Sequence, residues 1–342
     1  MKNFIVVVLV FVFIGGAWFI WQTKKGNIVE PSSSSVTKVF KIGIIYKGDN
    51  FKQVADGFQN GFSKIIVEGE KKYGVEYLVE NVQGAEQVDF DLAAQRLVDN
   101  RVDLILAVAV EGVVAAKKAT KETKTPILLV IGSNPVSLGL VASMQQPGEN
   151  VAGVVLLVEE LAGKRLELMK TIDPSIKKIV IFKKKGTKVI ERSLVSIDSV
   201  SKKFGISVTV KEVETREEFE KVAGAISRSE FDSMFYAADP FISRSADILN
   251  KNLQRLKMVH VGPDESSARK GGLSSYGANF VGAGEQVSRL AAKILIDRQS
   301  PGDLPVESVS KIDFVINLAA ARRIGVTIPP EIVTLAHVVI QE

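Results

Sequence analysis

The sequence predicts an α/β protein built of two doubly wound, Rossmann-like lobes and preceded by an apolar N-terminal helix. Three observations lead there. Short continuous apolar segments alternate with amphipathic ones from Val39 onward, the alternation restarts near Lys177 in the same order, and residues 4–21 carry no charge. Continuous apolar strands separated by helices mean a parallel sheet covered on both faces. A chain of 342 residues that is 46% hydrophobic and 24% charged suits two domains of roughly 130 to 150 residues each.

The first element is FIVVVLVFVFIGGAWFIW (4–21), flanked by Lys2 and by Lys24 and Lys25. As a helix it reaches about 27 Å, close to the bilayer core of about 30 Å. Trp18 and Trp21 at its end suit a membrane interface, which favours a retained anchor over residues 1–23. The competing reading is a cleaved signal peptide with Gly15 and Ala17 before the cut. Either way the chain is expected to be exported, to the cell surface or periplasm, with membrane contact through residues 4–21. Residues 24–38, which include PSSSS, read as a flexible linker.

FKIGIIY (40–46) reads as a buried strand, and Val54, Phe58, Phe62, Ile65 and Ile66 mark the apolar face of the helix after it, running to KKYG (71–74). Strand VEYLVE (75–80), a helix around 93–98, strand VDLILAVAV (102–110), a short helix and strand PILLVI (126–131) complete the first set. The order then recurs. KKIVIF (177–182) matches FKIGIIY, KKFGISVTV (202–210) matches KKYGVEYLV (71–79), and FDSMFYAADP (231–240) matches VDLILAVAVE (102–111). Both glycine phrases read as a helix exit followed by a strand. Three matched segments, each separated by about 130 residues, indicate two copies of one lobe.

Composition excludes several function classes. The net charge of +5 is small and spread along the chain, so no nucleic-acid partner is expected. With no cysteine, disulfides, thiolate metal sites, cysteine nucleophiles and a lipid-modified N-terminal cysteine are ruled out. His260 and His337 have no nucleophile or metal ligand at diagnostic spacing and read as structural. GGLSSYG (271–277) is not a nucleophile elbow, and GAGEQV (282–287) lacks the third glycine of a dinucleotide fingerprint. No phosphate-binding Gly-Lys-Ser/Thr loop is present. The chain therefore reads as a binding protein, with no catalytic constellation, cofactor or metal.

In parallel α/β sheets, ligands sit beyond the carboxyl ends of the strands. The first lobe supplies YKGDNF (46–51), VEG (110–112) and GSNPV (132–136) there; the second supplies KKKGT (183–187), ADPF (238–241) and GPDES (262–266). Two such lobes around one cleft suit capture of a small molecule by closure. Candidate ligand residues are Tyr46, Asp49, Phe51, Glu111, Ser133, Asn134, Asp239, Phe241 and Asp264. Phe51 and Phe241 offer rings for stacking or for core packing. Glu111 reads equally as a solvated carboxylate at a helix start, and Ser133 as a cap.

PILLVIGSNPVSLGLVASMQQPGENVAGV (126–154), GGLSSYG (271–277), DLPVES (303–308) and DFVINLAAARRIGVTIPPEIV (313–333) resemble the tryptophan/tyrosine-type substrate-binding proteins of ABC transporters. That resemblance implies a periplasmic-binding-protein type I fold whose lobes are joined by three crossovers, near Val151, Tyr276 and Pro305. The lobes would then be residues 39–150 with 278–304, and 151–277 with 305–342. It also implies ABC permease and ATPase partners, hinge closure on a small polar amino acid or amine-like molecule, and a place for Tyr276 beside the ligand. Asp239 and Asp264 stand where the family places acids suited to a ligand ammonium. Two departures bear on the ligand: Val110-Glu111-Gly112 replaces a hydroxyl-bearing loop that holds a carboxylate, and Asn134-Pro135-Val136 replaces Asp-Pro-Val. The alternative reading is a membrane-anchored sensor that reports to a signalling partner.

Overall fold

The computed structural model describes residues 38–342 except 70–72, 84–85, 133, 188–189 and 238. The expected N-terminal helix of residues 4–21 lies outside the described residues. Among those described, no helix is long and apolar enough to cross a membrane.

In chain order the elements are β1 (Lys38–Tyr46), α1 (Asp49–Glu68), β2 (Tyr73–Asn81), α2 (Gln87–Asp99), β3 (Leu104–Val108), α3 (Val110–Ala119), β4 (Ile127–Ile131) and β5 (Val151–Val155). There follow α4 (Leu161–Ile172), β6 (Lys178–Lys184), α5 (Glu191–Phe204), β7 (Ser207–Val213), α6 (Arg216–Ala225), β8 (Ser233–Phe235), α7 (Pro240–Arg244), α8 (Ala246–Arg255) and α9 (Glu265–Arg269). The chain closes with β9 (Ser274–Ala278), α10 (Phe280–Leu295), β10 (Val306–Ser308), β11 (Ile312–Asn317), α11 (Leu318–Ile324), α12 (Pro330–Thr334) and β12 (Val338–Ile340). Two compact units result. One holds the described chain up to Val130 with Leu140–Gly153 and Gly284–Val306; the other holds Ile131–Gly139, Val154–Ala283 and Glu307–Glu342.

The first unit is organised by a sheet of strand order β10-β5-β4-β3-β1-β2. β1 runs parallel to both β2 and β3, and β3 to β4. Strands this apolar are covered on both faces: Ile42, Ile44 and Ile45 of β1 and all of β3 are buried. On α1 the buried Val54, Phe58, Phe62 and Ile66 recur every four residues and form one stripe against the sheet. Phe58 and Phe62 stack with centroids 6.0 Å apart. Gly43 lets α2 settle on the sheet, since a Cβ there would meet Leu97 Cδ1 at 2.8 Å. Gly284 of α10, in the GAGEQV segment, lies against the backbone of Val54 and Phe58, so that glycine serves helix contact.

The second unit repeats the arrangement. β6 lies between β7 and β8, parallel to both, as β1 lies between β2 and β3. A second sheet, β12-β11-β9, pairs β11 parallel with β12 and antiparallel with β9. The segment before α9 runs along this second sheet through Gly262, whose N–H donates to Ser274 O at 2.8 Å and whose carbonyl accepts Tyr276 N–H at 3.0 Å. Ile179, Ile181, Phe235 and Ile316 pack on one side, and Val180, Phe182, Phe219 and Met234 on the other.

Two expectations about element ends are corrected. The phrase KKFG does close a helix: α5 ends at Phe204 and Gly205 takes a left-handed conformation, φ 63°. Its counterpart KKYG does not, because α1 already stops at Glu68 and Gly74 sits inside β2 opposite Val39. The strand expected over 102–110 ends at Val108, and Val110-Glu111-Gly112 begins α3 instead of forming a loop. The cause is Ala109, whose φ of 73° turns the chain straight from strand to helix.

Candidate functional site

In the first unit the carboxyl ends of β1 and β3 feed the N-termini of α1 and α3. Each helix is entered through one unusual conformation: Gly48 at φ 80°, ψ 169°, and Ala109 at φ 73°, ψ 159°. That region is essentially reserved for glycine, so Ala109 is strained. The first turns of α1 and α3 thus stand at the carboxyl edge of the sheet, where helix N-termini favour negative charge. Tyr46 ends β1 and is buried, while Phe51, in the first turn of α1, is half-buried. Asp49 is the first residue of α1; its side chain lies outside what is described. Glu111 is exposed in the first turn of α3, and its carbonyl accepts Gln87 Nε2 at 3.1 Å.

Two further candidates fall in Ile131–Gly139 of the second unit. Ser133 lies outside the described residues. Asn134 Oδ1 accepts the Val136 and Ser137 N–H groups at 2.9 and 3.3 Å, and its carbonyl accepts Ser137 Oγ at 2.8 Å. Its side chain thus closes a turn.

The remaining candidates lie in the body of the second unit. Asp239 is buried and caps α7. Oδ1 accepts from Phe241 N and Ile242 N at 2.8 and 3.3 Å, and Oδ2 from Lys184 N at 3.1 Å. Three backbone donors occupy this carboxylate, fastening the end of β6 to the start of α7. Phe241 beside it is half-buried, with Lys184 Nζ 5.1 Å from its ring centroid and Phe219 at 6.4 Å. Cation and rings together hold that face in place.

Asp264 caps α9 through Oδ1, which accepts Ser267 N–H at 2.9 Å. Burial pushes its carboxyl above the usual range, against the pull of the Ser267 and Ser266 N–H groups, Lys270 and Arg165. Tyr276 of β9 is half-buried and meets Phe314 edge-on at 6.3 Å. The Asp264 loop lies directly on β9, because a Cβ on Gly277 would overlap the Pro263 carbonyl. The Asp264 loop and the β9 backbone at Tyr276 and Gly277 are therefore brought together; so are Asp239 and Phe241.

Three residues escape sequence reasoning. Arg165 of α4 is fully buried and donates through Nη2 to Val158 O at 3.0 Å and through Nη1 to Tyr276 O at 3.5 Å. Burial lowers its guanidinium to about 10, which Asp264 opposes. Tyr236 is buried near Asp264, and both burial and that charge raise its phenol. Ala109 carries the strain described above. No sequence signal distinguishes these residues, since each has an ordinary type at an ordinary position.

His260 is buried with both ring nitrogens unpartnered, and burial lowers it to about 4. Among the described residues no cluster of His, Cys, Asp and Glu suits a metal.

A family model described as ABC transporter substrate binding protein matches residues 40–340. A tyrosine-binding protein of Clostridioides difficile (strain R20291) is 29% identical over 224 residues, 66% of this chain and 63% of the relative, so the match spans under two thirds of its length. Two solved structures share the fold at TM-score 0.72, each covering 90% of this chain and 100% of the other. One is an ABC domain from Streptococcus pneumonia in complex with L-Trp, 21% identical. The other is a ligand-free, open substrate-binding protein with adhesive properties from Clostridium difficile, 22% identical.

Proposed function

The chain belongs to the ABC transporter substrate-binding protein family, and from that premise we propose that it captures an amino acid or amine-like solute with an aromatic portion for an ABC importer. The family is one of solute-binding proteins and not of enzymes. The observation that carries the reading is the half-buried Phe241 ring, which has Lys184 and Phe219 as neighbours at a helix start capped by Asp239. A rigid aromatic face at the carboxyl end of a parallel sheet is a platform for a flat ligand. Tyrosine and tryptophan, bound by relatives, are the first probes.

In this reading Asp264 and Tyr276 of the second unit meet the ligand's polar end, and the exposed Glu111 side chain is not a ligand contact. Asp239 and Asn134, their oxygens engaged by backbone N–H groups, shape the site. The two lobes close by hinge motion about the crossovers between them. The chain works outside the cytoplasm, tethered through residues 4–21, and hands its solute to permease and ATPase subunits.

The test is thermal unfolding of the intact chain in mild detergent against L-tyrosine, L-tryptophan, small amines, nucleosides and sugars. A ligand at 100 times its dissociation constant stabilises the folded state by about 2.7 kcal/mol. A raised midpoint with an aromatic amino acid, reduced by Phe241→Ala, is expected. Shifts only with sugars or nucleosides, or with none of the panel, overturn the ligand class.

A further inference from the structure

Arg165 is the largest fully buried side chain among the described residues. It occupies the apolar face of α4 with Ala162, Leu166 and Met169, where a leucine or methionine would satisfy packing. A buried cation is costly compared with such a side chain. What a guanidinium alone adds is a planar fork of donors and a fixed charge. Here the fork reaches two strands of chain far apart in sequence: Val158 O at 3.0 Å and Tyr276 O at 3.5 Å, while Nε has no partner. Val158 lies four residues past Val154, where the chain enters the second unit, and Tyr276 lies seven before Ala283, where it leaves. The third member of the junction is the Asp264 loop, seated on Gly277 and joined to β9 by the Gly262 bonds.

We propose that Arg165 is a positioning residue for ligand capture: its buried fork locks the Val158 segment to β9, the strand on which the Asp264 loop is seated. The groups facing Asp264 are Arg165 from α4, Tyr236 from the segment after β8, and Lys270 with the Ser266 and Ser267 N–H groups at α9. Arg165 touches no ligand itself, being sealed from solvent.

The ligand part of this inference rests on the function proposed above; the structural part does not. The experiment compares the intact wild-type chain with Arg165→Met and Arg165→Lys by amide hydrogen exchange and by the pH profile of L-tyrosine and L-tryptophan affinity. In Arg165→Met, exchange is expected to rise selectively at 156–158 and 274–278. Affinity should fall roughly tenfold, and its acid limb should move to higher pH as Asp264 loses the nearby cation that lowers it. Arg165→Lys keeps the charge without the fork, so it should restore the pH profile but not the protection. If Arg165→Met fails to fold, the lysine variant carries the test. Unchanged protection at both segments, or a uniform rise everywhere with affinity and pH profile intact, overturns the proposal. If wild type binds neither probe, the ligand class fails, and exchange still decides the role of Arg165.

Discussion

Asp239 accepts the backbone N–H of Lys184 at 3.1 Å, joining two positions 55 residues apart at the carboxyl end of the second unit's sheet. The same carboxylate caps α7 through Phe241 and Ile242. An acid that reads in sequence as a ligand contact thus fastens the local scaffold. Removing it strands three N–H groups. A helix cap contributes about 1 kcal/mol and an unsatisfied buried donor about 1–3 kcal/mol. Asp239→Ala should therefore cost about 2–4 kcal/mol in urea unfolding, and Asp239→Asn, which keeps an acceptor, distinctly less. Equal stability of both variants and wild type would contradict the bonding described.

Ala109 provides the converse case. Its backbone lies in a region that costs a non-glycine residue about 1–3 kcal/mol, and Gly48 holds the same conformation at the entry to α1. Ala109→Gly removes the strain and loses about 0.5–1 kcal/mol to the freedom of the unfolded chain. The net expectation is stabilisation of about 1 kcal/mol, read as a higher urea midpoint at unchanged slope. A lower midpoint would mean that the conformation is unstrained.

These two residues show how far the sequence was legible. Strands were visible because burial on both faces makes them continuously apolar, and helices because their stripes recur at helical spacing. Ends were less visible. Nothing in DLILAVAVEG announces that Ala109 turns the chain, and KKYG and KKFG look alike although only the second caps a helix. The site divides the same way. Asp239 stood out because the family resemblance places an acid there, yet an acid before Pro equally starts a helix, so its residue type does not tell which role the carboxylate plays. Arg165 looks like any basic residue on an amphipathic helix. Its meaning depends on Tyr276, 111 positions away.

Gly284 tests the first unit. A Cβ there would collide with the Val54 carbonyl and lie 2.6 Å from Phe58 N. The obstacle is backbone, which cannot rotate aside, so α10 would have to move off α1. Gly284→Ala should destabilise by about 1–3 kcal/mol or more despite alanine's better helix propensity. An unchanged melting midpoint would show that the helices do not touch there.

Burial of His260 contributes an acid sensitivity to the fold. Burial lowers its pKa from 6.5 to about 4, so the folded state keeps the imidazole neutral while the unfolded chain binds a proton below about 6.5. Between those values the unfolded state holds more protons. Stability is thus intact above about 6.5 and lost progressively as pH falls to about 4, by on the order of 3 kcal/mol. Because neither ring nitrogen has a hydrogen-bond partner, His260→Leu forfeits no bond and should be near neutral at pH 7. The variant should flatten the pH dependence of urea unfolding between 6.5 and 4; the same slope in both proteins would place the acid sensitivity elsewhere.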